Sequence, residues 1–259
     1  MRNLKIEIEY DGTNYCGWQT QKGYPTKSIQ ETLEKALHRI LHHKVFLIGS
    51  GRTDAGVHAL AQVANFKTNS DIAIDKLQQA LNGTLPVDIR IIKVKEVKAG
   101  FHSRFHVKSK LYRYSVLGRK YNSAILRNFV SFYHYHLDEK LMRQEAACLI
   151  GKHDFKAFCA NASSAKNTVR TIKKIVIKKQ SSGLVTIDIE ADGFLYNMVR
   201  NIAGTLCLLG RHKLKSGDLK KILLSRNRRF AGPAAPAQGL CLVKVNYLKK
   251  GLTSAKNVL

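Results

Sequence analysis

The chain has 259 residues, with 44 Lys and Arg against 18 Asp and Glu, a formal net charge of +26 and 44% hydrophobic residues. That is ample material for a core in one large or two ordinary domains, and no uncharged apolar run approaches the roughly 18 residues of a membrane span. The charge points to a polyanionic partner bound with a steep salt dependence, but names no chemistry; a proteome-wide basic composition would give the same figure.

In chain order, Leu4, Ile6, Ile8 and Tyr10 alternate with polar residues, which predicts a half-buried first strand delivering Asp11. Met1-Arg2-Asn3-Leu4-Lys5 leads straight into it without a signal-peptide pattern, so a cytoplasmic location is expected. Ser28-Ile29-Gln30-Glu31 reads as a capping box that opens a helix with Ile29, Leu33, Leu37 and Ile40 on one face, ending near His42 and His43. Val45-Phe46-Leu47-Ile48 reads as a buried strand and Leu60 to Phe66 as another, with a glycine-rich connection between them. Asp71 to Leu81 is expected as a second amphipathic helix and Ile89 to Val97 as a strand.

A second half runs from Leu111-Tyr112 through a helix from near Asp138 to Leu149 and strands at Ile172 to Ile177 and Leu184 to Ala191. A helix at Leu195 to Leu209, a short helix opened by Ser216 and a strand at Leu240 to Tyr247 complete it. Runs of strands interrupted by one or two helices predict an α+β fold of two similar halves with mainly antiparallel sheets flanked by helices. The boundary falls near residues 100 to 108, giving halves 1–104 and 105–259. Gly118 to Asn128 and Asn161 to Thr168, polar or small in character, are expected to be mobile loops.

Cysteines at 16, 148, 159, 207 and 241 have neither CxxC pairing nor a zinc spacing, and their odd number argues against a disulfide framework. They are expected to be reduced and mostly buried. Basic residues gather at Lys108-Lys110-Arg113, Lys173-Lys174, Lys178-Lys179, Arg211-Lys213-Lys215 and Arg226-Arg228-Arg229, a distribution suited to folded surfaces that face RNA.

Gly51-Arg52-Thr53-Asp54-Ala55-Gly56-Val57-His58-Ala59 places one carboxylate on a glycine-hinged turn beside an arginine. On local chemistry alone, Asp54 is a turn residue bonding its own backbone. Asp188, Glu190 and Asp192 alternate on one strand and raise the alternative of a metal-dependent nuclease. Their opposite face, Ile187, Ile189 and Ala191, is the apolar one, so the acids are expected to face solvent or pair with lysines. A third alternative is a basic RNA-binding protein without catalysis.

The Asp54 block is followed and preceded by others. Tyr10-Asp11-Gly12-Thr13 with Gly17-Trp18-Gln19-Thr20-Gln21 comes first, and Leu81-Asn82 with Leu85-Pro86-Val87-Asp88-Ile89 comes later. Then follow Phe101-His102-Ser103-Arg104-Phe105, Tyr112-Arg113-Tyr114 and Gly151-Lys152-His153-Asp154-Phe155. Phe194-Leu195-Tyr196-Asn197-Met198-Val199-Arg200-Asn201-Ile202 and Gly239-Leu240-Cys241-Leu242 close the series. These eight blocks, in this order over nearly the whole chain, resemble the tRNA pseudouridine synthase A family.

The resemblance implies isomerisation of uridine to pseudouridine in the anticodon stem-loop of tRNA (family positions 38 to 40), without metal or cofactor, by a homodimer whose active cleft lies between the two halves. It implies that Asp54 is the catalytic nucleophile and Arg200 its partner. Arg200 also lies in the apolar stretch Phe194 to Leu209, where an unpaired charge is costly and a carboxylate partner is expected. Tyr112 matches the tyrosine that stacks on the target base and helps move a proton, although strand periodicity puts Tyr114 on the same side. Arg52 resembles the residue that fills the place of the flipped nucleotide, with a phosphate contact as the alternative. Leu240 and Leu242 resemble the apolar wall of the uracil pocket, and as alternate strand residues they also read as core. The polar loops would embrace tRNA. Departures from the pattern are Cys241 in place of a larger residue, Lys110-Leu111 where arginine is common, and His106 where a small residue is ordinary.

Overall fold

The structure is a computed structural model and describes residues 1–20, 26–160 and 167–248. Gln21 of the first motif and most of the loop at Asn161 to Thr168 lie outside the described residues. The chain forms two compact units: Met1–Lys108 with the described residues from Leu242 onward, and Ser109–Cys241. The last strand, expected with the second half, therefore begins in one unit and ends in the other.

In the first unit, β1 (Arg2–Tyr10) lies between β3 (His58–Thr68) and β4 (Ile89–Val97), antiparallel to both. The two-residue β2 (Ile48–Gly49) pairs with β3, and β10 (Leu240–Tyr247) is the neighbour of β3 on its other side. Leu4, Ile6, Ile8 and Tyr10 are buried, as their alternation predicts. Helix α1 (Ile29–Leu41) starts at Ser28, whose side chain accepts from the N–H of Glu31, and ends on His42 at φ 56. Its stripe of Ile29, Leu33 and Leu37 is fully buried, each side chain contributing about 1.5–3 kcal/mol before chain entropy is subtracted. α1 packs on α2 (Ile74–Thr84), which in turn packs on β4.

Two expectations in this unit need correcting. Val45 to Ile48 is not a buried strand: Val45 and Leu47 are buried, Phe46 is 79% exposed, and only Ile48 and Gly49 pair. The cause is α1, whose Glu34 carboxylate accepts the Leu47 N–H at 2.9 Å while Gln30 donates to the Leu47 carbonyl at 3.2 Å. Helix α2 begins at Ile74 instead of Asp71 because the Arg2 guanidinium takes the carbonyls of Ser70 and Ile72 (3.2 and 2.9 Å) and holds that stretch out of the helix.

In the second unit, β5 (Val107–Gly118), β9 (Leu184–Ala191), β8 (Val169–Lys179) and β7 (Gly151–Asp154) are successive antiparallel neighbours, and β6 (Ser131–Tyr133) adds to β5 in parallel. The short β6 and β7 carry too few residues to display a period. Helix α3 (Glu139–Ala146) packs on β8, on α4 (Met198–Gly210) and on α5 (Asp218–Ser225). Helix α5 is preceded by Gly217 at φ 85 and is not capped by Ser216. The Ser216 hydroxyl and the Gly217 N–H both donate to the buried Glu145 carboxylate, at 2.7 and 2.9 Å. All five cysteines are free, three of them buried. No helix of the described residues is long and apolar enough to cross a membrane. The chain is α+β throughout, each unit carrying helices on a mainly antiparallel sheet.

Candidate active site

Asp54 stands on a turn closed by its own carbonyl, which accepts the Val57 N–H at 3.2 Å, with Gly56 at φ 75 in the position where such a turn needs positive φ. The entry to the turn is fixed by fully buried Gln62, which accepts from the Ser50 hydroxyl at 2.6 Å and donates to the Gly51 carbonyl at 3.0 Å. Thr53 is held from two sides: its carbonyl accepts the Trp18 N–H at 3.0 Å and its hydroxyl meets the Tyr10 hydroxyl at 2.8 Å. Asp54 itself is half-buried, and Arg52 is exposed.

Glycines let the Asp11–Trp18 segment lie directly on this turn. A Cβ on Gly17, which has φ 103, would sit 2.4 Å from the Thr53 carbonyl oxygen, and one on Gly12 would sit 2.1 Å from that of Val57. Gly12 also donates its N–H to Nδ1 of buried His58 at 3.1 Å. Asp11 Oδ1 lies 3.1 Å from the same nitrogen. One ring nitrogen cannot accept from Gly12 and donate to Asp11 at once, and that oxygen is already engaged by the N–H and hydroxyl of Thr13 at 2.9 and 2.6 Å. The later Leu-Pro-Val-Asp motif braces the segment in turn. The Asp11 N–H donates to the Asp88 carbonyl at 3.0 Å, and the Tyr15 hydroxyl donates to the Asp88 carboxylate at 2.7 Å. Burial first, and then that carboxylate, push the Tyr15 phenol well above its ordinary range, so it stays a donor.

In the second unit, Tyr112 of β5 lies opposite Ile189 of β9 and is mostly buried, the edge of its ring against Phe194 at 5.1 Å and 85°. Tyr114 is fully buried, and its hydroxyl donates to the Pro236 carbonyl at 2.8 Å. Burial pushes that phenol far above its ordinary range as well. Arg200 follows Asn197, which enters α4 at φ 59, a left-handed conformation that asparagine tolerates. The Arg200 Nε donates to the Ala235 carbonyl at 2.7 Å and its Nη1 to Asn197 Oδ1 at 3.0 Å, which fixes the plane of the guanidinium. The segment from Gly232 to Pro236 is a strap laid along α4: a Cβ on Gly204 would sit 1.9 Å from the Pro233 carbonyl oxygen, and the Gly232 N–H donates to the Thr205 hydroxyl at 2.9 Å. Through adjacent carbonyls, Ala235 and Pro236, the strap serves both Arg200 and Tyr114. Sequence reasoning misses it, although its Gly-Pro and Ala-Pro pairs mark an extended, punctuated segment.

Asp54, Arg52 and Leu242 thus belong to the first unit, and Tyr112, Arg200 and Leu240 to the second. Leu240 and Leu242 are both buried, on either side of half-exposed Cys241.

A family model described as tRNA pseudouridine synthase matches residues 6–106 and 146–248. A "tRNA pseudouridine synthase A" of a Thermoanaerobacter species is 48% identical over 247 residues, 95% of this chain and all of the relative. One from Acetivibrio thermocellus is 47% identical over the same lengths, and "tRNA pseudouridine synthase A 2" of Clostridium tetani is 48% identical over 246 residues, 95% of this chain and 99% of its own. The chain belongs to the tRNA pseudouridine synthase family. It is an isomerase that converts uridine of tRNA to pseudouridine.

The acids that suggested a nuclease have other work in the synthase. Asp188 takes both ends of the Arg113 fork at 2.7 and 2.8 Å, Glu190 accepts the Ser109 hydroxyl at 2.5 Å and Asp192 accepts the Thr171 N–H at 3.0 Å. Their partners include an arginine, a serine and a backbone amide. Among the described residues no group of three His, Cys, Asp or Glu is placed to hold a metal ion. His106 also finds its reason: its Nδ1 accepts the His102 N–H at 3.3 Å and its ring meets Phe101 edge-on at 5.8 Å, closing the turn between them.

Proposed function

We propose that the synthase acts on uridines of the anticodon stem-loop, at positions 38 to 40, with Asp54 as nucleophile. The reaction breaks the bond between uracil N1 and ribose C1′, forms one from C5 to C1′, and moves one proton from C5 to N1, so atoms balance without an oxidant or a second substrate. A carboxylate promotes it by adding either to C1′ or to the uracil ring, two routes to the same product. Arg200 keeps the carboxylate ionised and aimed. Tyr112 stacks on the flipped uracil and takes part in the proton transfer, while Leu240 and Leu242 line the base pocket. Arg52 fills the gap left in the RNA stem. The synthase works in the cytoplasm as a homodimer, one subunit holding the tRNA body while the other acts, and uses no metal or cofactor.

The observation that carries this reading is the mounting of Asp54. A residue serving only its own turn would not need Gly12 and Gly17 pressed against its neighbours' carbonyls, nor Thr53 tied to both Tyr10 and Trp18. Tyr112 is favoured over Tyr114 by its place in the family motif, and the Tyr114 hydroxyl is bonded to the Pro236 carbonyl. The test is pseudouridine formation on unmodified tRNA transcripts in excess chelator, mapped by position, for wild type and Asp54→Asn. Product in the anticodon arm from wild type alone supports the assignment. Equal turnover by Asp54→Asn removes Asp54 as nucleophile, and product elsewhere removes the positional claim.

A further inference from the structure

We infer that Phe105 is a base-stacking platform on which the synthase holds an unpaired nucleotide of its RNA substrate, a second nucleotide contact beside the catalytic one. The inference rests on the reading of the chain as a tRNA-modifying enzyme and concerns residues to which no role was given above. Phe105 is 73% exposed. A single exposed aromatic is ordinary on a protein surface; what distinguishes this one is its mounting.

The ring is stacked on the imidazole of His102, with centroids 4.2 Å apart and planes 26° apart, and the Arg104 guanidinium lies 5.9 Å from its centre. His102 cannot swing away, because its Nδ1 accepts the N–H groups of Arg104 and Phe105 at 3.2 and 3.3 Å. Those bonds require an uncharged nitrogen, and burial, His106 and Arg104 all hold the His102 pKa below its ordinary value. The neutral imidazole therefore stacks beside Arg104 without repelling it.

The turn beneath is anchored in the core. Ser103 is fully buried: its N–H donates to Asn65 Oδ1 at 2.9 Å, its hydroxyl donates to the Ile48 carbonyl, and its carbonyl accepts the Tyr247 hydroxyl at 2.7 Å. The Phe101 carbonyl accepts from Asn3 at 2.9 Å. A rigid aromatic with one face backed and much of its surface in water loses little freedom when a flat ring lies on it. Ile48 belongs to β2, which runs directly into the Asp54 turn, so platform and turn share a foundation.

The choice of a nucleic-acid base as occupant follows from charge. The partner of a +26 chain is a polyanion, and an aromatic flanked by an exposed arginine is the pairing that single-stranded RNA uses, base on ring and phosphate near cation. Stacking on an aromatic tolerates any base, so the contact supplies grip and placement more than sequence choice.

The experiment compares wild type with Phe105→Ala, Phe105→Leu and Phe105→Trp. Affinity for unmodified tRNA transcript is measured apart from turnover, with loop purines replaced one at a time by 2-aminopurine to report stacking, and sedimentation follows oligomeric state. The expected result is a loss of affinity of roughly five-fold or more for Ala and for Leu, near-wild-type affinity for Trp, and one loop position whose fluorescence quenching needs an aromatic at 105. Leu matching wild type, or quenching unchanged at every position in Phe105→Ala, overturns the inference. So does a change in sedimentation with tRNA affinity intact, which would make the surface a protein contact. Wild type that bound tRNA without modifying it would remove the enzymatic reading, yet the affinity series would still judge the platform.

Discussion

Arg200 and Ala235 hold each other twice: the Ala235 N–H donates to the Arg200 carbonyl at 3.1 Å, and the Arg200 Nε donates to the Ala235 carbonyl at 2.7 Å. A main chain and a charged side chain are thereby locked to one point of the strap, and Asn197 fixes the remaining rotation. Lysine keeps the charge but has no fork with which to hold Ala235 and Asn197 at once. Arg200→Lys should lower turnover by about ten- to a hundred-fold, the equivalent of one or two hydrogen bonds to a charged group, with tRNA affinity within two-fold. Asn197→Gly, which keeps the left-handed entry and deletes only the side chain, should lower turnover in the same direction by less. Turnover and affinity falling together would mean that Arg200 grips RNA instead.

Gly17 meets two demands at once near Asp54, φ 103 and a Cβ position only 2.4 Å from the Thr53 carbonyl oxygen. Gly17→Ala must either strain the backbone, at about 1–3 kcal/mol, or push Thr53 and its neighbour away. Either response moves Asp54. Thermal unfolding should drop by several degrees, and single-turnover rates measured well below the melting point should fall by more than the folded fraction explains. A variant that loses stability but keeps its rate would show that the clamp supports the fold alone.

Much of this architecture is legible in the sequence where periodicity governs it. β1, β4, β9 and β10 follow from alternation, and α1 from Ser28 and its apolar stripe, because neighbours along the chain decide those elements. These misreadings share one cause, a side chain distant in sequence that captures polar groups of the stretch: Arg2 the carbonyls of Ser70 and Ile72, Glu34 and Gln30 the backbone of Leu47, Glu145 the Ser216 hydroxyl and the Gly217 N–H. The glycine-hinged turn of Asp54 is visible as a string, but its clamp is not. Nothing in Tyr-Asp-Gly-Thr announces that its glycine lies beneath Val57.

Lys173 and Lys174 both stand exposed on β8. Replacing both with Gln should weaken tRNA binding and leave the fold intact. Where each contacts a phosphate, the slope of log affinity against log salt becomes less steep by about 0.9 per lost contact on a duplex. Filter binding across a salt series reads that slope directly; an unchanged slope would place these lysines away from the RNA.

The His58 ring offers a test of the first motif that leaves Asp54 untouched. Its Nδ1 is the acceptor for the Gly12 N–H, so an uncapped buried donor results from His58→Phe, at about 1–3 kcal/mol of stability. His58→Asn, whose oxygen can occupy the same position, should recover part of that loss. Denaturant unfolding of the three proteins gives the ordering wild type, Asn, Phe; Phe equal to or above Asn would show that the ring matters for its volume and not for its nitrogen.

Stability should decline on the alkaline side. Cys207 is enclosed in α4, and burial pushes its thiol from the ordinary 9.0 up to about 12. A raised folded-state pKa means that the unfolded chain gives up the proton first as pH rises. The contribution is therefore complete below pH 9.0 and is lost progressively as pH climbs towards about 12. Buried Tyr114 and half-buried Tyr247, also raised, act in the same sense as their unfolded phenols begin to ionise near 10.0. Cys207→Ala replaces the thiol with a group that cannot ionise, at some cost in packing at all pH values. Melting temperatures from pH 7 to 11 should show wild type falling more steeply above pH 9 than Cys207→Ala, the two curves converging, with a residual common decline from the tyrosines. Parallel curves would mean that Cys207 keeps a nearly ordinary thiol despite its enclosure.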